Sequence, residues 1–455
     1  MTLTSEDVLI ARNPATEEVL GEVARTPPEA LAAILVHARA AQRRWGETPW
    51  RERRSVLVRF WRELSLEADA WAGAIEAEVG KPRGEALAGD VLATLDSLRW
   101  TVRHGGRVLA DRRLGPGWQL WLLIPPARLR LRPLGVVGMI GTWNYPLLMN
   151  APSIAQALAA GNAVVWKPSE LAPLAGLRLQ RCLGRAGFPE GLVTAVFGGP
   201  EVGAALVEAG IDKGVFTGGI ENGRRVLGAL ARQGVPALAE FSGYDPAIVL
   251  PDAPREATVN ALTWGAFVGS GQTCVAVKRV YVVGDAAPWA EALATAARRL
   301  RVGNPAEGPV DLGPLISESA RARFHQAIEA TIGAGAQLLA GGASRPGPGW
   351  FYPPTVLLAD SPGPEASLAG AFGPVVLVRG VASPDAAVEA ANASPFGLSA
   401  SVWGRDLHAA RALARRLEAG MVAINEAVTQ SAHAAAPFGG IKASGFGRTR
   451  GALGL

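Results

Sequence analysis

Three side chains in this chain of 455 residues could together perform nucleophilic catalysis. Cys274 ends the stretch 269-GSGQTC-274 and is one of two cysteines, although a free cysteine is more often a buried, unreactive hydrophobic residue. Asn144 carries an amide that suits an oxyanion hole and equally suits an ordinary turn. Glu240 follows an apolar run, where desolvation would raise its pKa toward the range of a general base unless backbone N–H groups satisfy it. A thiol, an amide donor and a carboxylate form a recognisable catalytic set.

A cysteine protease would need a histidine beside the thiol. The five histidines lie mostly in helical stretches, and none is near Cys274 in the sequence. A Cys–His protease is therefore disfavoured, although His433 keeps that possibility open. We expect no metal site.

The elements that must position these residues alternate between strand and helix from residue 135 onward. Short β-branched runs separated by helical periodicity favour a doubly wound parallel sheet. The predicted strands cover 135–140, 163–167, 193–197, 212–217 and 236–240, with helices near 147–160, 172–186, 201–209 and 222–232. A second α/β series begins at 246-PAIVL-250 and extends to about residue 425. The first third is predicted to form helices over 28–45, 55–80 and 84–105, followed by a hairpin-like pair of strands over 118–132.

Four polar features follow strands of the first series. Ligands bind beyond the carboxyl ends of the strands in open parallel sheets, so these features should meet at one edge. The pair Lys167 and Glu170 suits a ribose or a phosphate, and also suits a surface ion pair. Glycines in 216-FTGGIENG-223 could present N–H groups to a pyrophosphate, although a plain turn would look the same. The four features are Thr142-Trp143-Asn144, Lys167 to Glu170, Thr217-Gly218-Gly219, and Glu240.

The composition indicates a globular protein. Hydrophobic residues make up 49% and charged residues 19% of the chain, which is far from a disordered composition. So few cysteines in a long chain indicate a reducing compartment, and no signal peptide or apolar run of membrane-spanning length is visible, so we expect a cytoplasmic protein. The net charge of +5 comes from scattered arginines rather than a basic stripe, so we expect neither nucleic acid nor a membrane as partner.

Over nearly its whole length the chain resembles the NAD(P)-dependent aldehyde dehydrogenase superfamily. The motifs that carry the resemblance occur in the expected order: 141-GTWNYP-146, 160-AGNAVVWKPSE-170, 216-FTGG-219, Glu240 before 243-GYDPAIV-249, 271-GQTC-274, 372-FGPV-375 and 437-PFGGIKASGFGR-448. The resemblance implies an α/β fold with two doubly wound domains, one Rossmann-like for the cofactor and one catalytic, and a small β-hairpin for oligomerisation. It implies an NAD(P)-binding domain over 1–113 and 134–241, the oligomerisation hairpin over 114–133, a catalytic domain over 242–443 and a C-terminal segment over 444–455.

The resemblance also implies roles for the catalytic set. Cys274 would attack the aldehyde carbonyl, while Asn144 and the Cys274 N–H would hold the oxyanion. The thiohemiacetal would pass a hydride to the nicotinamide, and Glu240 would activate the water that hydrolyses the thioester to a carboxylic acid.

The implied cofactor is NAD, with NADP possible, because Glu170 would accept the adenosine 2′-hydroxyl and repel a 2′-phosphate. The residues expected to bind the cofactor are Thr142, Trp143, Lys167, Ser169, Glu170, Gly218, Gly219, Phe372 and Phe438. The expected substrate pocket is mostly apolar, which favours an uncharged medium-chain aliphatic or aromatic aldehyde. Its expected lining is Tyr145, Leu148, Met149, Pro152, Val268 and Thr273, with Phe438 at the mouth and Gln430 or His433 adding polar selectivity.

Several positions depart from the family pattern. Gly370 stands where the family usually has a glutamate that holds the nicotinamide ribose, so we expect weaker cofactor binding. Phe241-Ser242-Gly243-Tyr244 replaces a common Leu-Gly-Gly-Lys, and Gly219 replaces a frequent serine. The chain stops at 451-GALGL-455, without the strand that usually joins a neighbouring subunit's sheet, and this bears on the homodimer that the resemblance implies.

Two alternatives remain beside the aldehyde-oxidising reading. One is a CoA-acylating relative, in which a thiol rather than water resolves the thioester; retention of Glu240 argues against it. The other is a degenerate paralogue that keeps the fold for assembly or aldehyde binding. Gly370 and the short C-terminus motivate this second alternative, whereas the intact Cys274, Asn144 and Glu240 oppose it.

Overall fold

The first third of the chain contributes a strand pair and a group of helices. The computed structural model describes residues 7–115 and 127–455. It opens with an antiparallel pair, Val8–Arg12 and Val19–Ala24, which the sequence patterns did not predict. The predicted helix over 55–80 is two helices that meet at Glu67. The helices here are Ala30–Glu47, Trp50–Leu66, Ala68–Val79, the short turn Arg83–Glu85, and Ala93–Val108, with a π-helix over Ala86–Leu92.

A six-stranded sheet forms the centre of the first α/β unit. Its central strand Ala163–Lys167 is buried on both faces, as the continuous apolar run of a parallel strand requires. All pairings are parallel except that of the last short strand with Ala237–Glu240. From edge to edge the strands are Gly445–Phe446, Ala237–Glu240, Lys213–Thr217, Val136–Ile140, Ala163–Lys167 and Val193–Ala195. The connecting helices are Ala151–Ala159, Pro173–Arg185, Pro200–Glu208 and Ile220–Arg232.

A seven-stranded, mostly parallel sheet forms the second unit. From edge to edge its strands are Gln337–Ala340, Thr355–Ala359, Val375–Val381, Val277–Val283, Asp245–Val249, Ser399–Trp403 and Met421–Ile424, and only the first pairs antiparallel. Its helices are Arg255–Phe267, Ala287–Arg299, Glu318–Gly333, Gly363–Leu368, Pro384–Asn392 and Leu407–Ala414, and a short helix Gly451–Gly454 follows later. Single-turn 3₁₀ helices lie at Val268–Gly271, Pro305–Glu307 and Thr429–Ala432, and Phe396–Gly397 pairs with Ile441–Lys442. The predicted fold class, with two mostly parallel α/β sheets, is confirmed.

The predicted hairpin is described only at its base. Arg112–Arg113 pairs antiparallel with Arg128–Leu129, and residues 116–126, which include most of the predicted strands, lie outside the described residues. The domain boundaries and the oligomerisation role of 114–133 therefore stay predictions.

Separate hydrophobic clusters stabilise the two units. The first packs Val136, Val164 and Trp166 of the six-stranded sheet against helical side chains such as Phe60 and Trp71. The second packs strand residues such as Val280 and Val378 against the helices of the seven-stranded sheet. Because both sheets are covered by helices, the carboxyl ends of their strands are the accessible places for polar side chains.

Candidate active site

Strand register brings the predicted polar residues of the first sheet together. Lys167 pairs with Ile140 across neighbouring parallel strands, and Thr217 pairs with Glu240. Since each residue is the last of its strand, Lys167, Thr217 and Glu240 lie along one edge of the sheet. The loop that begins at Gly141 leaves the same edge, as the sequence predicted.

Cys274 is held by a tight loop between a helix and a strand of the second sheet. After Phe267 the chain turns through Gly269, Ser270 and Gly271, whose φ angles are 62°, 56° and 66°. A Cβ atom on Gly271 would lie 2.2 Å from the carbonyl oxygen of Gly373, so only glycine fits at this close approach. The loop therefore delivers the thiol to a fixed position.

A buried lysine fastens this loop to the next one. Lys278 Nζ donates to the carbonyl oxygen of Gly271 at 2.9 Å and also to that of Gly373. Burial lowers the pKa of Lys278 to about 7, and the charge of Asp245 opposes that shift. The loop of the thiol and the loop of Phe372 are thus joined through one side chain.

Cys274 and Glu240 face each other across the two units. The Sγ atom lies 3.8 Å from Glu240 Oε1, and the other carboxyl oxygen, Oε2, is buried without a partner. Burial raises the pKa of Glu240 to about 8, against a lowering by the charge of Arg450. Burial, reinforced by the carboxylates of Glu240 and Asp245, raises the pKa of the Cys274 thiol well above its usual value. A carboxyl whose pKa lies near neutrality suits a general base, and Oε2 is available as a hydrogen-bond acceptor.

Asn144 lies in the same cavity as Cys274 and is fixed by two hydrogen bonds. Its Nδ2 donates to the carbonyl oxygen of Gln272 at 2.9 Å, and its Oδ1 accepts from Thr142 Oγ1 at 2.8 Å. One of the two Nδ2 hydrogens is therefore committed, and the other is available for an oxyanion.

A buried ion pair orders the segment that follows Asn144. Lys81 Nζ lies 2.6 Å from Asp90 Oδ2 and donates to the carbonyl oxygen of Asn144 at 2.8 Å. Asp90, in the π-helix, accepts from the N–H groups of Leu148 at 3.2 Å and Leu147 at 3.4 Å with its other oxygen. The two charges are paired with each other and also hydrogen-bonded to the backbone, which offsets the free-energy cost of burying them.

A polar cleft, which we define by Lys167, Thr142, Gly218 and Phe372, opens at the strand ends of the first sheet. It comprises two connected hollows of about 410 and 620 Å³, the first of which reaches Cys274 and Glu240. The Trp143 and Phe372 rings meet edge to face, with centroids 5.8 Å apart. The expected cofactor residues that line the cleft are Thr142, Trp143, Lys167, Ser169, Glu170, Gly218, Gly219 and Phe372.

An apolar cavity, which we define by Tyr145, Met149, Val268 and Phe438, lies on the other side of Cys274. Its volume is about 340 Å³, and the expected pocket residues Tyr145, Leu148, Met149, Val268 and Thr273 all line it. Tyr145 Oη lies 2.9 Å from Thr273 Oγ1. Cys274 and Met149 line both this cavity and the polar cleft, so the thiol stands where the two spaces meet.

Some expected site residues have other positions. Phe438, expected at the cofactor as well as the pocket, lines the apolar cavity and not the polar cleft, because it pairs with Thr449 in a segment on the substrate side. Pro152, Gln430 and His433 are not among the residues that line the cavity. Gln430 instead donates to Ser399 Oγ at 3.0 Å.

Sequence reasoning missed several residues that line the apolar cavity, among them Glu85 and Arg450. Glu85 accepts from the Gly269 N–H at 2.9 Å, and burial raises its pKa to about 7. Arg450 lines the same cavity and is 4% exposed. An arginine in the glycine-rich run near the C-terminus was a weak signal, because its position depends on contacts with distant parts of the chain.

Gly370 borders the polar cleft in an open position. Its φ angle is 86°, and a Cβ atom there would meet no heavy atom within 4 Å. Packing thus leaves space at this position, whereas the backbone conformation favours glycine.

Residues 7–115 and 127–455 contain no group of three histidine, cysteine or acidic side chains able to hold a metal ion. No helix in these ranges is both long and apolar enough to cross a bilayer.

The arrangement places a buried thiol between a polar cleft and an apolar cavity. A family model described as "Aldehyde dehydrogenase family" matches residues 3–455, and the chain belongs to this family. The resemblance read from the motifs, and the enzyme class that it implied, are confirmed.

Curated and solved relatives agree with this assignment. The chain is 35% identical to benzaldehyde dehydrogenase [NAD(+)] of Pseudomonas putida, over 96% of this chain and 88% of that protein. It is 34% identical to 4,4′-diapolycopene aldehyde oxidase of a Methylomonas species, over 98% of this chain and 83% of that protein. Its fold matches the NAD+ complex of aldehyde dehydrogenase from Bacillus cereus with a TM-score of 0.93 and 33% identity, covering 98% of this chain and 91% of that one.

Proposed function

We propose that this protein oxidises an aldehyde to a carboxylic acid with NAD+ or NADP+, through a thiohemiacetal and then a thioester at Cys274. The observation that carries the proposal is the position of Cys274 at the junction of the polar cleft and the apolar cavity, 3.8 Å from Glu240. An aldehyde in the cavity and a cofactor in the cleft would reach the sulfur from opposite sides.

The polar cleft fits a dinucleotide cofactor. Lys167 Nζ and Glu170 Oε2 lie 2.8 Å apart, a cation and an acceptor suited to ribose hydroxyls. The helix Ile220–Arg232 begins directly after Gly219 at the cleft, and a helix N-terminus favours a pyrophosphate. When bound there, the cofactor would supply a hydride acceptor.

The first step is addition of the thiol to the carbonyl. A Cys274 S–C bond forms, the carbonyl π bond becomes an oxyanion, and Glu240 is the nearest acceptor for the thiol proton. Asn144 Nδ2 and the Cys274 N–H would stabilise the oxyanion. Loss of a hydride from the same carbon restores the carbonyl and leaves a thioester on Cys274.

The second step is hydrolysis of the thioester. Once Glu240 has released the thiol proton to solvent, it would remove a proton from a water molecule as the water oxygen adds to the thioester carbon. The S–C bond then breaks to release the acid, and the departing Cys274 sulfur takes back the proton from Glu240. The unpartnered Oε2 of Glu240 supports this role. The CoA-acylating alternative has no use for such a base, and no observation favours it or the degenerate paralogue.

The finer assignments belong to the same proposal. Glu170 favours NAD, since a carboxylate there would repel a 2′-phosphate. We also infer a homodimer in the cytoplasm, supported by the family and by the low cysteine content. Light scattering coupled to gel filtration would test the dimer, and a monomer at working concentrations would refute it.

One assay tests the whole proposal. Purified protein is mixed with a panel of aldehydes and with NAD+ or NADP+, and reduced cofactor is followed by absorbance. We expect reduction with at least one aldehyde and release of the matching acid. The proposal is wrong if neither cofactor is reduced across the panel and calorimetry detects no cofactor binding.

A further inference from the structure

Arg450 places a positive charge in the wall of the apolar cavity. The residue is 4% exposed and lines the cavity together with Cys274 and Phe438. Its guanidinium carbon lies 4.9 Å from the centre of the Phe438 ring, and its Nη2 lies 3.7 Å from Met149 Sδ. The charged group therefore sits among the side chains that surround the substrate space.

The guanidinium has fewer protein partners than its five N–H groups need. Its Nη1 donates to the carbonyl oxygen of Ser431, and none of the ion pairs of the described residues includes Arg450. Arg279 provides a comparison, since it is as deeply buried but donates to the carbonyl oxygens of Tyr244, Ala390 and Ala391. A buried charge without a hydrogen-bonded counter-charge costs free energy, which a bound anion would recover.

The other ionisable groups of the cavity do not neutralise Arg450. Lys81 is paired with Asp90 at 2.6 Å. Glu85 accepts from the Gly269 N–H, burial raises its pKa to about 7, and none of its hydrogen bonds is to Arg450. Glu240 and the Cys274 thiolate attract the Arg450 charge, but neither is hydrogen-bonded to it. The cavity thus keeps one positive charge that no neighbouring carboxylate pairs.

The backbone holds Arg450 in this position. Its φ angle is 60°, unusual for a residue other than glycine, and its N–H donates to Gln156 Oε1 at 3.2 Å. The Gln156 amide in turn donates to the carbonyl oxygen of Gly451 at 3.3 Å. An unfavourable conformation fixed on both sides is a feature of functional positions.

We propose that Arg450 binds a carboxylate on the substrate, so that the preferred aldehydes carry an anionic group at the end away from the carbonyl. The inference rests on the proposed function and changes its substrate class, because the apolar lining had favoured an uncharged aldehyde. Arg450 would act as a specificity-determining residue, with the aliphatic part of the substrate between its guanidinium and Cys274.

The test compares paired substrates. Straight-chain aldehydes that end in a carboxylate are each compared with the methyl ester of the same chain length, as kcat/KM. We expect the wild-type protein to prefer the carboxylate, and Arg450→Met to reduce the carboxylate-to-ester ratio by roughly 10- to 100-fold, since a hydrogen-bonded charge is lost. Arg450→Lys should retain part of the preference. Arg405→Met removes an exposed arginine outside the cavity and should leave the ratio unchanged.

Two outcomes would overturn the inference. Turnover of aldehydes without a preference for the carboxylate would refute it while leaving the proposed function intact, whereas no turnover of any aldehyde would refute the proposed function. If Arg450→Met lowers kcat/KM equally for the carboxylate and the ester, Arg450 does not bind the substrate carboxylate. Its charge then acts on Cys274 and Glu240 instead.

A measurement on the wild-type protein decides the question if the variant does not fold. Alkylation of Cys274 by iodoacetamide is followed with a simple alkanoate present, and with the corresponding amide as the control. We expect the alkanoate to protect the thiol at concentrations at which the amide does not. Equal protection by both compounds would contradict a carboxylate site.

Discussion

The Cys274 Sγ atom and the Glu240 Oε1 atom lie 3.8 Å apart, although they belong to different α/β units. Glu240 ends a strand of the six-stranded sheet, and Cys274 precedes a strand of the seven-stranded sheet. The charge of Glu240 raises the pKa of the Cys274 thiol, whereas the hydrogen bond from Cys274 lowers the pKa of Glu240. Between the two, this contact therefore favours a proton on the sulfur and a charge on the carboxylate. The relationship makes the nucleophile and the base depend on how the two units pack together.

Replacement of Cys274 by alanine should abolish aldehyde-dependent reduction of the cofactor. Without the sulfur no covalent intermediate forms, so kcat/KM should fall by about 1,000-fold or more. Cys182→Ala is the matched control, since Cys182 is buried in the helix Pro173–Arg185, away from the cleft. Retained activity in Cys274→Ala, measured by cofactor absorbance, would exclude the thiol as nucleophile.

Replacement of Glu240 by glutamine should slow hydrolysis more than the first turnover. The thiol can still ionise through water, whereas attack on the thioester loses its base, so steady-state kcat should fall about 100- to 10,000-fold. Stopped-flow absorbance should then show a burst of reduced cofactor of about one equivalent per site. If the first turnover slows as much as the steady state, Glu240 acts before hydride transfer.

The same carboxyl should set the pH dependence of the wild-type enzyme. The pKa of Glu240 is raised to about 8 by burial, and only its ionised form can act as a base. Turnover limited by hydrolysis should therefore increase as pH rises toward about 8 and level off above it. A kcat that does not increase as the pH rises toward about 8 would contradict the role of Glu240.

Replacement of Glu170 by serine should shift the cofactor preference toward NADP+. The change removes a carboxylate that would repel a 2′-phosphate, and we expect the NADP-to-NAD ratio of kcat/KM to rise only about tenfold, because the Glu170 side chain is 40% exposed and water screens it. Glu190→Ser, an exposed acid outside the cleft, serves as control. An unchanged ratio would mean that Glu170 does not face the adenosine ribose.

Replacement of Lys278 by methionine should destabilise the protein and change how its stability depends on pH. The folded state releases the Lys278 proton near pH 7 and the unfolded state near 10.5, so wild-type stability gains from this residue as pH rises between those values. The free energy of unfolding of the wild type should exceed that of Lys278→Met, with a difference that grows by about 2–3 kcal/mol from pH 7.5 to pH 9.5. Urea titrations at both pH values measure this difference, and a constant difference would mean that the lysine stays charged.

Residues at strand ends were predictable because their position follows from strand register. Apolar runs that end in Lys167 and Glu240 identify the strands, and parallel pairing then places those residues at one edge. The glycines of 269-GSGQTC-274 likewise indicated a tight loop before Cys274, and Gly269 and Gly271 have positive φ angles there. The strands predicted between residues 135 and 240 agree with the observed ones within two residues at each end.

Arg450, Glu85 and the first strand pair could not be predicted in this way. The place of Arg450 depends on a contact with Gln156, 294 positions earlier in the chain, and Glu85 becomes a site residue only by its bond to Gly269. Contacts between residues so far apart in the chain leave no periodic pattern in the local sequence. Val8–Arg12 is a short strand whose partner lies beyond an irregular turn, and the sequence analysis made no prediction for it.

The π-helix over Ala86–Leu92 carries a consequence for sequence variation around this site. Its wider turns accommodate one residue more than an α-helix of the same rise, and that extra residue directs Asp90 toward Lys81 and the N–H groups of Leu147 and Leu148. Deletion of a single residue here would restore an α-helix and rotate Asp90 by about 100° away from the site. Chains that differ by one residue in this helix would therefore have to support the Asn144 segment by other means, whatever their overall identity.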